Sequence, residues 1–373
     1  MKLEMHVEER NFFKRFNGNF ALVILALNIV GLINLYSATH GVNSVGTTHL
    51  FKQQLIWLAA GWVIYFVTTI IDYNIIRRMA YSLYVLNLGA ILAVKFFGKS
   101  YMGAQRWLDF GFFRYQPTET MKLILVLVLA HILVKKNTQN GLGLRDLLWP
   151  LLITFLPFAL TVIQPDLGTA LLILAISVTM LIFVKIKRSI LISAFLVSII
   201  AAPIAWNLGL KPYQKSRVLT FLDPGRDPRG AGYNSIQSKI AVGSGLFFGK
   251  GFRKGTQSQL EFLPERHTDF IYSVLSEEHG FIGSITTFGL FIILYIMALR
   301  ISTQSKDKYA TLISVGALAY LFWHVTVNIG MVIGLLPIVG VPLPLLSYGG
   351  SSLLTTMLGL GLISNVAYRR YFF

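Results

Sequence analysis

The sequence predicts an all-α integral membrane protein with about ten transmembrane helices, and three observations carry that expectation. Of the 373 residues, 54% are hydrophobic and only 13% charged, whereas a soluble domain carries about a quarter charged residues. Apolar runs recur from end to end, several approaching the roughly 20 residues that a crossing needs. Lys and Arg concentrate in alternate connecting segments. Cysteine is absent, which excludes disulfides and thiolate chemistry and leaves the redox compartment unread. The formal net charge of +17 would suggest nucleic acid until the charges are placed; no nucleic-acid partner is expected.

The expected spans run Phe20–Ser37, Leu55–Ile71, Ala80–Phe97, Thr120–Val134, Leu147–Ile163 and Leu167–Ile186, then Ile190–Leu208, Gly280–Leu299, Ala310–Ile333 and Ser351–Ala367. The hydrophilic start, Met1–Phe16, is followed by no small-residue cleavage site after the first span, so it reads as an uncleaved anchor. Residues 1–373 form one polytopic membrane domain, with a long extracytoplasmic loop at 209–269 between spans seven and eight.

With the N-terminus inside, the inner segments carry Lys2, Arg10, Lys14 and Arg15, then Arg77 and Arg78, then Lys135, Lys136 and Arg145. Lys185, Lys187 and Arg188 follow, then Arg300, Lys306 and Lys308, and finally Arg369 and Arg370. Every short loop expected inside is thus basic, as the positive-inside rule requires, and both termini are expected to be cytoplasmic. The segment Lys211–Arg266 is also basic yet falls outside by parity. Loops of that length translocate largely regardless of charge. A basic outer loop invites an anionic ligand, and equally a surface resting on anionic membrane lipid.

Acidic residues number only 16, so their places are informative. Under this topology Asp109, Glu119, Asp166, Asp223, Asp227, Glu261, Glu265 and Asp269 gather at or beyond the outer boundary, with Glu277 and Glu278 just after them. An ionisable group at membrane depth costs roughly 2.5–3.5 kcal/mol and by default marks function.

Four stretches stand out. In Gln116–Lys122, Pro117 suits the first helical position. Glu119 and Lys122 then share a helix face, as a structural ion pair or a substrate contact. Gln164–Thr169 forms a very short turn in which Asp166 is a natural N-cap. In Phe262–Phe270, Asp269 is flanked by Glu265, Arg266 and His267 near a helix start, where the dipole favours an ionised carboxylate. That group could hold an anionic substrate and take a proton from a hydroxyl; a plain cap by Thr268 or Asp269 is the competing reading. Finally, Gly330–Ser351 holds three prolines and a Gly pair, which rule out one regular helix. Irregular backbone at that depth is tolerated where it lines a cavity, although Gly330 and Gly334 also match a helix-packing GxxxG.

At these places the sequence resembles the SEDS family of cell-wall proteins (shape, elongation, division and sporulation). The matching strings are GAQRWLDFGFFRYQPTETMK (Gly103–Lys122), QPDLGTA (Gln164–Ala170) and RVLTFLDPGRDPRGAGYNSIQSKIAVGSG (Arg217–Gly245). GKGFRKGTQSQLEFLPERHTDF (Gly249–Phe270) and VNIGMVIGLLPIVGVPLPLLSYGGSS (Val327–Ser352) complete the set. LPERHTDF is similar to the elongation branch, since the division branch typically carries Ala before the His. Departures from the family pattern are Thr118 for Ser, Leu246 for a second Gly, and His279 after the paired Glu.

The resemblance implies a peptidoglycan glycosyltransferase that polymerises lipid II into glycan strands for cell elongation and rod shape. By residue-to-residue match it implies that Asp269 is the essential carboxylate and that Glu119, Lys122 and Asp166 belong to the site. Asp269 is the expected base. Arg106, Lys122, Lys239, Lys250 and Arg266 are the expected cations for the leaving pyrophosphate, with Glu265, His267 and Ser347 as further substrate contacts. The sequence defines no cofactor and leaves the metal requirement open; a divalent cation such as Mg, where one takes part, would be held by Asp269 or Glu119. Expected partners are lipid II, a class B penicillin-binding protein that supplies transpeptidation, and other elongation-complex proteins. A lipid II flippase and a non-catalytic scaffold are the alternatives; the one-sided carboxylates weigh against both.

Overall fold

The computed structural model describes residues 16–40, 48–101, 104–111, 113–136, 141–209, 211–227 and 230–369. Lys2, Arg10, Lys14, Arg15, Arg229, Arg370 and Gly103 of the sequence reading lie outside them. Each expected span falls on a long helix: α1 (Gly18–Thr39), α2 (Thr48–Ile70), α3 (Tyr73–Phe97), α4 (Pro117–Leu133) and α5 (Leu144–Ile163). Next come α6 (Leu167–Phe183) and α7 (Arg188–Ile204). The last three are α11 (Ile271–Thr303), α12 (Lys308–Val332) and α13 (Gly350–Arg369). Seven of these are long and apolar enough to cross a membrane; α4, α6 and α7 have 17 residues each. The chain is a multi-pass membrane protein.

Helix starts follow local chemistry. The side chains of Asn17, Asp72, Asp166 and Asp307 accept from backbone N–H groups at the first turns of α1, α3, α6 and α12, supplying acceptors for donors that have no intrahelical partner. Pro117 opens α4. That helix is the hub. It packs against α3, α5, α6, α12 and α13 and is buried on nearly all sides, as an all-round apolar helix must be. α13 lies broadly along α2. α7 is different: no residue of it with described exposure is buried.

Two features were not legible as spans or loops. Between α3 and α4 the chain forms a small antiparallel sheet of β1 (Lys99–Tyr101), β2 (Ala104–Asp109) and β3 (Arg114–Tyr115). The segment at 209–269 is largely helical, with α8 (Pro212–Leu222), a 3₁₀ turn (Pro224–Arg226), α9 (Ala231–Ser244) and the short α10 (Thr256–Gln259).

The element that places the site is α11, which breaks at Gly280 (φ 64°, ψ −157°). Across the break the Ser284 hydroxyl donates to Ser276 Oγ at 2.9 Å, and Tyr272 OH donates to Ser284 O at 3.2 Å. Eight residues of straight helix would separate Ser276 and Ser284 by about 12 Å, so the chain reverses. The first arm climbs beside α1. Asn34 Nδ2 donates to Ile271 O at 2.8 Å, and nearer the end of α1 Ser37 Oγ donates to Glu278 Oε1 at 2.6 Å. The second arm descends as the expected span, which the sequence reading began at Gly280. The tip is capped by the turn residues after α9: Phe281 N donates to Leu246 O at 2.9 Å, and Gly251 N to Glu278 O at 2.9 Å. Asp269 precedes the ascending arm and is therefore sunk between helix ends.

α12 stops as its sequence dictates. Gly334 (φ 80°) follows the helix, Leu335 N returns to Gly330 O at 2.7 Å and Gly334 N to Met331 O at 3.3 Å. This is a Schellman stop, so Gly330 and Gly334 do not form a packing GxxxG. The chain then runs irregularly to Gly350, as its prolines demand.

Candidate active site

Asp269 sits in the turn before α11. Neither it nor Thr268 caps that helix: the cap is Phe270, with no side-chain hydrogen bond. The turn is clamped from outside. Asn328 Nδ2 donates to Asp269 O at 2.9 Å and to Val341 O at 2.7 Å. The Ser347 hydroxyl donates to Thr268 O at 2.6 Å and accepts from Leu343 N at 2.8 Å. Tyr348 N donates to His267 O at 2.9 Å. The Pro-rich run thus forms one wall of the Asp269 cleft. Gly340 lies against the carboxylate, since a Cβ there would stand 3.3 Å from Asp269 Oδ2.

Burial is the main force on this carboxyl, and with the Glu265 charge it pushes the pKa up to about 7; Arg106, Asp166 and Arg217 act on it from farther away. Burial likewise holds the neighbouring His267 below its ordinary range, with Glu265 opposing and the Arg266 charge assisting. A half-buried carboxylate poised near neutrality, with two guanidinium charges acting on it from farther off, can accept a proton from a hydroxyl.

Asp166 and Arg106 approach from a second side. Arg106 Nε is 3.7 Å from Asp166 Oδ2, and its guanidinium also donates to Pro165 O. Asp166 caps α6 as expected, accepting from Thr169 N at 3.3 Å and Thr169 Oγ1 at 2.9 Å. Gly168 touches Val339, which joins this turn to the Pro-rich wall.

Beneath lies the expected pair. Lys122 Nζ donates to Glu119 Oε1 at 2.7 Å, both side chains buried. The same ammonium lies 2.7 Å from His324 Nε2 and 5.4 Å from the Tyr320 ring centre. Glu119 Oε2 and His324 Nδ1 are buried without a protein hydrogen-bond partner. His324 was missed in the sequence; an ionisable residue in the ninth apolar run was the available signal.

Other expected contacts are placed elsewhere or serve the framework. Arg266 is buried, donating through Nε to Ala38 O at 2.9 Å and through Nη2 to Glu261 Oε1 at 2.8 Å. Lys250 Nζ donates to Glu277 Oε1 at 2.7 Å, and that carboxylate also accepts from Gln257 N at the start of α10. Lys239, exposed on α9, lies along Gly334. Glu265 accepts from Thr268 Oγ1 at 2.9 Å. Arg217 on α8 was read only as one of many loop cations, yet its charge acts on the Asp269 carboxyl. Among the described residues, no three His, Asp or Glu side chains cluster as a metal cage.

A family model described as cell cycle protein, covering FtsW, RodA and SpoVE, matches residues 18–371. The chain belongs to the FtsW/RodA/SpoVE family. Among its relatives, the peptidoglycan glycosyltransferase MrdB of Escherichia coli K12 is 40% identical over 350 residues, covering 94% of this chain and 92% of the relative. Peptidoglycan glycosyltransferase RodA of Treponema pallidum is 33% identical, covering 94% and 96%. A chain solved in a study of structural coordination of polymerization and crosslinking by a peptidoglycan synthase complex shares 30% identity at TM-score 0.81, covering 95% of this chain and 98% of that one. Thermus thermophilus RodA shares 26% identity at TM-score 0.70, again covering 95% and 98%.

Proposed function

We infer that this family member is a peptidoglycan glycosyltransferase that polymerises lipid II for cell elongation and rod shape. The observation that carries the chemistry is Asp269, a carboxyl raised to about 7 by burial and the Glu265 charge, with the Arg106 and Arg217 charges opposing. The acceptor sugar's 4-hydroxyl loses its proton to Asp269, and its oxygen bonds to the anomeric carbon of the donor. The bond from that carbon to the lipid pyrophosphate breaks, with its electron pair leaving on phosphate. Positive side chains stabilise the departing charge. A positioned base of this kind contributes about 10²–10⁴ in rate.

Glu119 and Lys122 support the cleft from below as a mutually neutralised pair. A divalent cation arriving with pyrophosphate would be held by Asp269 or by Glu119, whose Oε2 has no protein hydrogen-bond partner; its chemistry would be to neutralise phosphate charge. The supported setting is the bacterial cytoplasmic (inner) membrane, with both termini cytoplasmic and Asp269 on the extracytoplasmic side. The partner is a class B penicillin-binding protein that cross-links the new strands.

The test is lipid II polymerisation by purified protein with its cognate partner, wild type beside Asp269→Asn, read as glycan length on a gel. Wild-type chains and none from the variant are expected. Equal chains from both would remove Asp269 as the base. Movement of lipid II across liposomes without chains would favour a flippase.

A further inference from the structure

The Lys122 ammonium is held from three directions inside the helix bundle. It donates to Glu119 Oε1 at 2.7 Å, lies 2.7 Å from His324 Nε2 and faces the Tyr320 ring, whose centre is 5.4 Å away. The Lys122 side chain is fully buried, so it reaches nothing outside the bundle while these contacts stand. An ammonium has donors only, so Nε2 is the acceptor and the neutral ring carries its proton on Nδ1. His324 therefore supplies the second acceptor that a buried cation needs, beside the carboxylate.

The same face of α12 reaches the turn that carries the base. Tyr320, His324 and Asn328 recur every fourth residue, which stacks them along one side of the helix, and all three are fully buried. The Tyr320 and His324 rings lie 4.4 Å apart, and Tyr320 OH is 3.2 Å from Thr356 Oγ1 of α13. One turn beyond His324, Asn328 Nδ2 donates to Asp269 O at 2.9 Å and to Val341 O at 2.7 Å. The carbonyl of Pro342, next in the Pro-rich wall, acts on the His324 ring. A rise of roughly 6 Å along α12 thus separates the acceptor of the buried ammonium from the residue that fixes the Asp269 backbone.

We propose that His324 is a positioning residue for Asp269: by accepting from Lys122 it lets the Glu119–Lys122 pair on α4 set the place of α12 and, through Asn328, that of the Asp269 turn. This rests on the glycosyltransferase reading. A side chain at 324 without an acceptor leaves one buried N–H of Lys122 unmet, which is costly for a charged donor. Either α12 shifts or the ammonium turns away from Glu119, and both displacements pass to Asn328 one turn on.

Gln at 324 carries an amide oxygen out to where Nε2 lies, Asn is too short to do so, and Leu offers no acceptor. In nanodiscs with the cognate partner, full-length His324→Gln should polymerise lipid II within about twofold of wild type. His324→Asn and His324→Leu should lose about tenfold or more in kcat, the worth of one hydrogen bond to a charged group. Their KM for lipid II should stay within about twofold of wild type. Because the chain has no cysteine, Asp269→Cys reports the turn without turnover. Its labelling rate by a small thiol reagent should change severalfold when His324→Leu is added and stay constant when His324→Gln is added. Lys122→Met should reproduce the Leu effect, and His324→Leu on top of it should add nothing. A Gln variant as slow as Leu, a Leu variant as fast as wild type, or a defect confined to KM would overturn the assignment. So would a labelling rate indifferent to His324→Leu. Should His324→Leu fail to fold, the Gln and Asn variants carry the same comparison. A wild type that makes no glycan while the labelling pattern holds would sink the polymerase reading and leave the Lys122–His324–Asn328 linkage standing, so the two failures are distinct.

Discussion

At Asp269, burial and the Glu265 charge favour the protonated carboxyl, and the Arg106 and Arg217 guanidiniums oppose them. The base works ionised, so activity should rise with pH through about 7. Glu265→Gln removes a negative neighbour and should move this acidic limb to lower pH; Arg106→Gln should move it higher. Rate against pH from 5.5 to 8.5 reads both directions, an interval that brackets the neutral pKa expected of a working base. The same shift has a stability consequence. Between about 3.9, the unfolded value, and about 7, the folded state binds the proton more tightly, so Asp269 makes stability fall as pH rises. Asp269→Asn should therefore be inactive yet melt higher than wild type at pH near 8, the two converging toward acid. A variant that melts lower at every pH would show that the carboxylate is held by contacts an amide cannot replace.

Hydropathy made the long helices legible, and Gly280 was read as the start of a span because apolar residues run on from it. What the pattern could not show is that Ile271–His279 turns back beside it. That arm mixes Glu277, Glu278 and three serines or histidines with apolar residues, so it reads as a loop, although tertiary partners bury both carboxylates. Asp166, Glu119 and Lys122 were legible because cap and i,i+3 chemistry are local. Arg217 and His324 were not, since their partners lie far away in the chain. The reversal also has an exacting residue at its tip. Gly280 holds φ 64°, and a Cβ there would stand 2.3 Å from Gly249 N. Gly280→Ala should cost about 2 kcal/mol or more, seen as a lower melting temperature with activity reduced in the surviving fold. An unchanged melting temperature would mean that the tip relaxes freely.

For the whole molecule, the distribution of Lys and Arg predicts which end faces which compartment. Because the chain has no cysteine, single introduced cysteines report cleanly. Lys254→Cys, on the exposed run after α9, should label with an impermeant thiol reagent in intact cells. Lys306→Cys, between α11 and α12, should label only after the membrane is opened. The reverse pattern would invert the topology and move Asp269 to the cytoplasm.

The isolation of α7 carries a different kind of consequence. A helix without buried described residues takes its orientation from the lipid around it rather than from its neighbours. Its 17 α-helical residues run without a break into a five-residue π-helical turn, Ala205–Gly209, and together they reach roughly 30 Å, matching a hydrocarbon core about 30 Å thick; a bilayer thinner or thicker than that is met by tilting or shifting the helix. α8 with Arg217 begins at Pro212, just beyond that turn. Acyl-chain length therefore becomes a control on the enzyme: in nanodiscs of graded lipid thickness, glycan synthesis should peak at an intermediate thickness and fall on either side. A flat response would mean that α7 is gripped by something other than lipid.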